Sequence, residues 1–190
     1  MVNIGVKNLL KSVKPCRFNN VQGNTEGRQR ISKVNAAYIA GFLDGDGSIR
    51  VQLQPRKNTF RVRTIISFAQ KWGKEIELKW IKNQLGIGYL YKRNDQITEL
   101  KIEGFKTTER ILKFLKPYVR FKKKQLIIML EILDFVKKAP VNLIKIAELS
   151  DQISNLNYVT GEKKYTAEYV AKTLKSCAPV TTEFPDTKSG

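Results

Sequence analysis

Segment 35–48 of the chain combines an apolar helical stretch with two acidic residues, Asp44 and Asp46, each followed by glycine. Asn35 is the predicted N-cap of this helix, and the two glycines are expected to end it. Carboxylates at the end of a helix face the negative end of its macrodipole, where electrostatics disfavours them. Other groups of the protein must therefore hold these two carboxylates in place.

Small residues occupy one side of the same helix, at Ala40, Gly41 and Gly45. Because glycine inside a helix costs roughly 1 kcal/mol relative to alanine, this pattern suggests that a second helix packs closely there, with the acids at the end of the seam. An ordinary buried helix followed by an Asp-Gly turn explains the bare pattern equally well. A calcium loop does not, since it requires glycine in place of Ile49 and glutamate in place of Pro55.

The nine residues from Ile39 to Gly47, IAGFLDGDG, resemble the LAGLIDADG motif of homing endonucleases. The chain has no second copy of the motif, so it resembles the single-motif, homodimeric branch of the group I intron-encoded type. The resemblance covers residues 35–176. Four further segments recur at spacing similar to that of the family: Gln70-Lys71, Gly86–Tyr89, Lys122–Gln125 and Asp151–Asn157.

This resemblance implies an α+β fold in which helices back a saddle-shaped, four-stranded antiparallel sheet. The order of predicted elements agrees with it, because each pair of strands is followed by a helix and further helices close the chain. Two copies of the chain are expected to pair through the motif helix. The expected interface residues are Tyr38, Ala40, Gly41 and Asp44. A single endonuclease domain is predicted at 35–177, between a basic extension, 1–34, and a tail, 178–190.

The resemblance also implies roles for individual residues near the motif. Asp46 matches the metal-binding acid, with the main-chain oxygen of Gly45 as a further ligand, and the implied cofactor is Mg²⁺ or Mn²⁺. Gln70 matches the residue that organises solvent near the scissile phosphate, and Lys122 matches the basic residue that stabilises charge there. Lys74 stands where family members carry arginine, which keeps the positive charge but removes the planar guanidinium fork.

Composition indicates a polyanionic partner. The 190 residues include 35 Lys and Arg against 17 Asp and Glu, which gives a net charge of +18. Nucleic acid is favoured over a membrane, because no apolar run approaches the roughly 20 residues of a spanning helix. Histidine is absent, which excludes nucleases with a histidine base and zinc sites that need imidazole. Cys16 and Cys177 form no CxxC pair, so a reducing intracellular setting is expected.

Two predicted strands after the motif alternate apolar and polar residues, as is typical of strands with one solvent-facing side. Their polar positions include Arg and Gln, whose side chains match guanine and adenine edges in the major groove. The pattern alone fits a solvated edge sheet equally well, whereas the resemblance favours base reading. The expected DNA contacts, including those on a predicted hairpin at 89–102, are Arg50, Gln52, Gln54, Arg56, Arg61, Arg63, Ser67, Tyr91, Arg93, Glu99 and Lys101. Lys163 and Lys164 match family positions that touch phosphates.

Together these features predict a site-specific endonuclease that cuts double-stranded DNA as a homodimer with Mg²⁺. The resemblance adds a long pseudo-palindromic site, cleavage across the minor groove and 3′ overhangs. Two alternatives stay open: an RNA maturase that assists splicing of its host intron, and a regulator that binds DNA without cutting it. The intact Asp46, Gln70 and Lys122 argue against the regulator. The first 34 residues fit an organellar transit peptide, a DNA-binding arm or a vestige of an upstream reading frame, and a chloroplast or mitochondrial location is expected.

Overall fold

The computed structural model describes residues 31–157 and 163–176. Its elements in chain order are α1 (Lys33–Asp46), β1 (Gly47–Arg56), β2 (Thr59–Lys71), α2 (Ile76–Leu85), β3 (Tyr89–Lys92), β4 (Ile97–Glu103), α3 (Phe105–Leu115), α4 (Lys123–Lys137), α5 (Leu143–Leu156) and α6 (Ala167–Ser176). The predicted order of elements, in which each pair of strands is followed by a helix and further helices close the chain, is confirmed. Most of the predicted extension, both cysteines and the predicted tail lie outside the described residues. Within the two described ranges, no helix has the length and apolar character needed to cross a membrane.

The four strands form one antiparallel sheet in the order β1-β2-β4-β3. A turn joins β1 to β2, and its Asn58 has a left-handed φ of 60°. β3 pairs antiparallel with β4, which places Tyr89 opposite Lys101 and Tyr91 opposite Glu99. The predicted α+β fold class with a four-stranded antiparallel sheet is therefore confirmed.

Buried and exposed residues alternate along β1, but this alternation is interrupted in β2. In β1, Ile49, Val51 and Leu53 are buried and the residues between them are at least partly exposed. In β2, five consecutive residues at 64–68 are buried. β2 has a neighbouring strand on each side, and both of its faces are covered over this stretch. Its polar positions there are consequently not on a solvent-facing side.

The described residues divide into two compact units. One unit contains residues 31–48 and 66–123, which include α1, α2, the β3–β4 hairpin and α3. In this unit α1 packs against α3, and its Ile39 and Leu43 are fully buried. Phe42 packs against Phe68 with a centroid separation of 6.1 Å. α1 is thus held by its own unit along one side.

The other unit contains residues 49–65, 124–157 and 163–176. Here α5 packs against α6. Phe60 lies with Tyr165 and Tyr169 in an aromatic cluster whose ring centroids are 5.3 to 6.4 Å apart. The side-chain amide of Asn157 donates to the main-chain oxygen of Ile49 at 3.0 Å, which ties the end of α5 to β1.

Both ends of α1 differ from the prediction. The N-cap is Ser32, whose hydroxyl accepts from the Asn35 amide nitrogen at 3.1 Å. Asn35 lies inside the helix, and its side chain donates to Gln84 Oε1 at 2.9 Å. Gly45 does not end the helix either, because α1 continues to Asp46 and Gly47 forms the C-cap. β1 begins at Gly47 itself, so no loop separates the acidic end of the helix from the sheet.

Gly47 is required at this junction for steric reasons. Its φ of −96° is available to any residue, but a Cβ atom there would lie 2.6 to 2.7 Å from the side chain and backbone of Leu43. We expect Gly47→Ala to lower the free energy of unfolding by about 1–3 kcal/mol, as overpacking does. Thermal and urea denaturation measure this change. Gly45→Ala is the control, because nothing lies within 4 Å of a Cβ at Gly45; equal destabilisation of both variants would contradict the steric explanation.

Candidate functional site

The two acids at the end of α1 have different surroundings. The Asp44 carboxylate accepts two backbone hydrogen bonds, from Arg120 N at 2.7 Å and from Lys122 N at 2.9 Å. The segment between α3 and α4 therefore supplies the groups that hold this acid against the unfavourable helix end. The Asp46 carboxylate is exposed, and its Oδ2 accepts from the side-chain amide of Gln70 at 3.2 Å.

The ammonium group of Lys122 lies at the carbonyl end of α1. It donates to the main-chain oxygen of Asp44 at 2.5 Å and to that of Gly45 at 3.3 Å. A cation at this position interacts favourably with the helix dipole. Partial burial lowers the pKa of the Lys122 ammonium below its ordinary value, while Asp44 and Asp46 act in the opposite direction.

The structure thus brings together four predicted groups: the Asp46 carboxylate, the Gly45 carbonyl, the Gln70 amide and the Lys122 ammonium. The first two are hard oxygen donors of the kind that Mg²⁺ binds. No group of three acidic, histidine or cysteine side chains able to hold a metal occurs in the part of the chain that the structure describes. One copy of the chain contributes a single exposed carboxylate at this point, so the donors fit a hard divalent cation but form an incomplete shell.

Lys74 stands apart from this cluster. It is exposed in the turn between β2 and α2, and among the described residues it is not hydrogen-bonded to the other predicted catalytic groups. Sequence reasoning missed the residue that shapes this turn, Glu75. Its carboxylate accepts from Gly73 N at 3.1 Å and from Thr98 Oγ1 at 3.0 Å. Hydrogen bonds from backbone amides and from Thr98 lower the pKa of Glu75. No sequence pattern pointed to this contact with β4.

The β3–β4 hairpin gathers several predicted DNA contacts into one charged network. Arg93 donates to Glu99 Oε1 at 3.0 Å, and Lys101 lies 3.3 Å from the other oxygen of Glu99. The hydrogen bond with Glu99 raises the pKa of Arg93. The Lys101 ammonium lies 3.7 Å from the ring centroid of Tyr91, as in a cation–π contact. Glu99 was expected to contact DNA, but it is buried. Its carboxylate instead orients the side chains of Arg93 and Lys101.

The predicted contacts of β1 and β2 differ in their exposure. Gln52, Arg56 and Arg61 are exposed, whereas Arg50, Gln54 and Arg63 are partly buried. Ser67 is buried, and its hydroxyl lies 2.9 Å from that of Ser48. The expected solvent-facing position of Ser67 is wrong, because both faces of β2 are covered at this point.

Lys163 and Lys164, which the resemblance treats alike, differ in their contacts. The Lys163 ammonium lies 2.6 Å from Asp151 Oδ1 and 2.8 Å from Ser150 Oγ, and it is partly buried. Asp151 also accepts from Ala167 N at 2.8 Å. Lys163 is therefore part of an internal contact that joins α5 to the start of α6. Lys164 is exposed.

The outer side of α1 is apolar and contains small residues. Val34 and Tyr38 are 78% and 51% exposed, and Gly41 and Gly45 are also exposed. Ala40 was expected on the same side but is fully buried inside its own unit. The Asp44 carboxylate, likewise expected at an interface, is bonded within its own chain. The exposed face is consequently defined by Val34, Tyr38, Gly41 and Gly45.

Comparison with known proteins shows the family of the chain. The family model described as LAGLIDADG endonuclease matches residues 39–137, just over half of the chain. The chain is also 30% identical over 153 residues to the DNA endonuclease I-CreI of Chlamydomonas reinhardtii, which covers 77% of this chain and 93% of that protein. The chain belongs to the LAGLIDADG endonuclease family.

Two further endonucleases are similar to this chain. The DNA endonuclease I-CvuI of Chlorella vulgaris is 32% identical over 151 residues, which cover 76% of this chain and 92% of that protein. A crystal structure of I-CvuI with uncleaved DNA in the presence of Mg has a TM-score of 0.71 to this chain, with 29% identity, and covers 76% of this chain and 95% of that one. The archaeal endonuclease I-Vdi141I, solved with DNA, shares the fold at a TM-score of 0.67 and 22% identity, covering 76% of this chain and 96% of that one.

The two lysines before α6 offer a test of the contacts in this LAGLIDADG protein. We expect Lys163→Met to lower the free energy of unfolding by roughly 1–2 kcal/mol, because Asp151 loses a charged hydrogen-bond partner. The exposed Lys164→Met should change stability by less than about 0.5 kcal/mol. Urea denaturation of both variants measures the difference. If Lys163→Met were as stable as the unchanged protein, the ion pair with Asp151 would not support the fold.

Proposed function

We propose that this protein is a site-specific endonuclease that cuts both strands of DNA as a homodimer with a divalent cation. The observation that carries the proposal is the convergence of Asp46, the Gly45 carbonyl, Gln70 and Lys122 at the end of the motif helix. Asp46 and the Gly45 carbonyl supply oxygen ligands, Gln70 supplies an amide that can order solvent, and Lys122 supplies a cation that can bind a phosphate. The relatives I-CreI and I-CvuI carry the name DNA endonuclease, which supports the same activity here.

The proposed cofactor is Mg²⁺, with Mn²⁺ as a substitute, held by the Asp46 carboxylate and the Gly45 carbonyl. When bound, such an ion lowers the pKa of a water molecule and stabilises charge on the leaving oxygen. Gln70 orients the Asp46 carboxylate through its 3.2 Å hydrogen bond and offers its remaining polar groups to solvent. Lys122 places a positive charge beside the phosphate and offsets the charge that develops there. Lys74, from its exposed turn, contributes a second cation.

The proposal requires two copies of the chain. One chain has one motif and one exposed carboxylate at the site, so cutting both strands calls for a second copy with its own set of these groups. The exposed apolar and small residues of α1 offer a surface on which a symmetry-related α1 can pack closely. Two Asp46 carboxylates brought together would repel each other unless cations lay between them. A two-fold dimer also presents each DNA contact twice, so its target is a pseudo-palindrome. Cleavage across the minor groove with 3′ overhangs is part of the proposal.

Charge and exposure support the DNA interface. The net charge of +18 favours a phosphate backbone as partner. The polar residues of β1 and β2 that are at least partly exposed, together with Tyr91 and the two cations of the hairpin, are proposed to contact base edges. These residues are Arg50, Gln52, Gln54, Arg56, Arg61, Arg63, Tyr91, Arg93 and Lys101. Lys164 is proposed to contact a phosphate. Ser67 and Glu99 are left out because they are buried, and Lys163 because its ammonium joins α5 to the start of α6.

The chemistry of the proposal is tested at Asp46. On a cleavage site recovered by selection, we expect Asp46→Asn to reduce the single-turnover cleavage rate below detection, because the amide is a poor ligand for Mg²⁺. Binding to the same site, measured in Ca²⁺ by electrophoretic mobility shift, should change by less than about tenfold, which corresponds to about 1.4 kcal/mol. Cleavage by Asp46→Asn at the unchanged rate would exclude Asp46 as the metal-binding acid.

The homodimer is tested at Gly41. A leucine there meets nothing in its own chain, since no atom lies within 4 Å of a Cβ at this position. We expect the Gly41→Leu chain to fold normally, but its leucine should prevent the close packing of two α1 helices. Sedimentation should then show a monomer, and cleavage should be lost. Glu131→Leu, at an exposed position of α4, is the control for an added apolar side chain. A dimeric, active Gly41→Leu protein would contradict pairing through α1.

A further inference from the structure

Asp44 contacts the segment before α4 with both its side chain and its main chain. Its carboxylate binds the backbone amides of Arg120 and Lys122, and its main-chain oxygen accepts from the Lys122 ammonium. The two ends of the Lys122 residue, its backbone nitrogen and its Nζ atom, are therefore both tied to one residue of α1. The Gly45 oxygen is within 3.3 Å of the same ammonium.

The residue between the two bound amides gives the segment little support through its own side chain. Phe121 is 86% exposed, so it contributes almost no burial inside its own chain. On the N-terminal side, Val119 is buried and anchors the chain there. The backbone of residues 120–122 consequently depends on the Asp44 carboxylate for its position next to α1. A lysine side chain has four rotatable bonds, so its ammonium is held by the main-chain oxygens of Asp44 and Gly45, and the position of the Lys122 backbone decides whether it reaches them.

We propose that Asp44 is a positioning residue of the nuclease site, which acts through Lys122 and not on the metal. The inference rests on the proposed function and deepens it, because it assigns different tasks to the two acids of the motif. Asp46 is exposed toward the site and binds the cation. The Asp44 carboxylate is hydrogen-bonded to the backbone amides of Arg120 and Lys122, and it thereby determines the position of the Lys122 ammonium. Loss of the Asp44 carboxylate therefore affects cleavage only through the placement of Lys122.

A purely structural role for Asp44 makes a different prediction. A residue that only stabilises the fold changes the melting temperature, and its effect on the cleavage rate is independent of Lys122. A residue that positions Lys122 has no further effect once the lysine charge has been removed. A double-mutant cycle between Asp44 and Lys122 distinguishes these two cases.

The experiment compares Asp44→Asn, Lys122→Met and the double variant in the full-length chain, by single-turnover cleavage of the selected site in Mg²⁺. We expect Asp44→Asn to slow cleavage by roughly 10²-fold, as a misplaced catalytic group does, while binding in Ca²⁺ changes only a few-fold. The double variant should be as slow as Lys122→Met alone. Multiplying losses, or cleavage by Asp44→Asn at the unchanged rate, would overturn the proposal. If Asp44→Asn folds poorly, Asp44→Ser takes its place in the cycle.

A second readout does not depend on cleavage. In the ¹⁵N-labelled protein without metal or DNA, the amide signals of Arg120 and Lys122 should shift in Asp44→Asn, and their hydrogen exchange should accelerate by at least about tenfold. Unchanged amides would overturn the proposal. Asn142→Ala, which removes the cap of α5, is the control; it should lower stability without moving these signals or the cleavage rate. If the unchanged protein cuts no DNA, the proposed function fails, and the amide signals still decide whether Asp44 holds this segment.

Discussion

The negative end of α1 meets two backbone amides and one ammonium from residues 120–122, and the arrangement of the site depends on this contact. Without it, Asp44 would place a charge at a helix end that repels it. The helix runs on to Asp46, and Gly47 starts the first strand with no loop between them. Asp46 is consequently fixed by a helix on one side and a sheet on the other, with Gln70 of β2 as its hydrogen-bond partner.

The same contact explains why two acids so close in sequence serve different purposes. The Asp44 carboxylate accepts a backbone hydrogen bond at each of its two oxygens, whereas the exposed Asp46 carboxylate has one amide partner, at Oδ2, and can offer its oxygens to a cation. In the proposed enzyme, this division leaves each chain with one metal-binding acid. The proposed second chain brings a second acid of this kind to the site, while water and phosphate oxygens complete the ligand shell of a hard divalent cation.

The resemblance to homing endonucleases implied the groups that converge at the site, and sequence patterns predicted the order of the helices and strands in the described residues. Periodicity was sufficient for this, because the burial of β1 and of the helices follows local spacing. The details that failed depend on tertiary contacts. Ser32 and Asn35 are both good N-caps, and the contact of Asn35 with Gln84 decides between them. Ala40 and Gly41 are adjacent small residues, yet only packing shows that one is inside and the other outside. Ser67 and Lys163 were predicted to face solvent. Their partners, Ser48 and Asp151, are separated from them in the sequence, and local spacing does not indicate these contacts.

The central claim, that this chain is a metal-dependent endonuclease specific for one DNA site, is tested most directly by cleavage-site selection. Purified protein is incubated with a random double-stranded DNA library in Mg²⁺, and the cut ends are sequenced, with a parallel reaction without divalent cations. We expect one long, nearly palindromic sequence, cut on both strands with 3′ overhangs and only when the cation is present. Failure to enrich any cut sequence, together with specific binding to a structured intron RNA, would contradict it and favour the maturase.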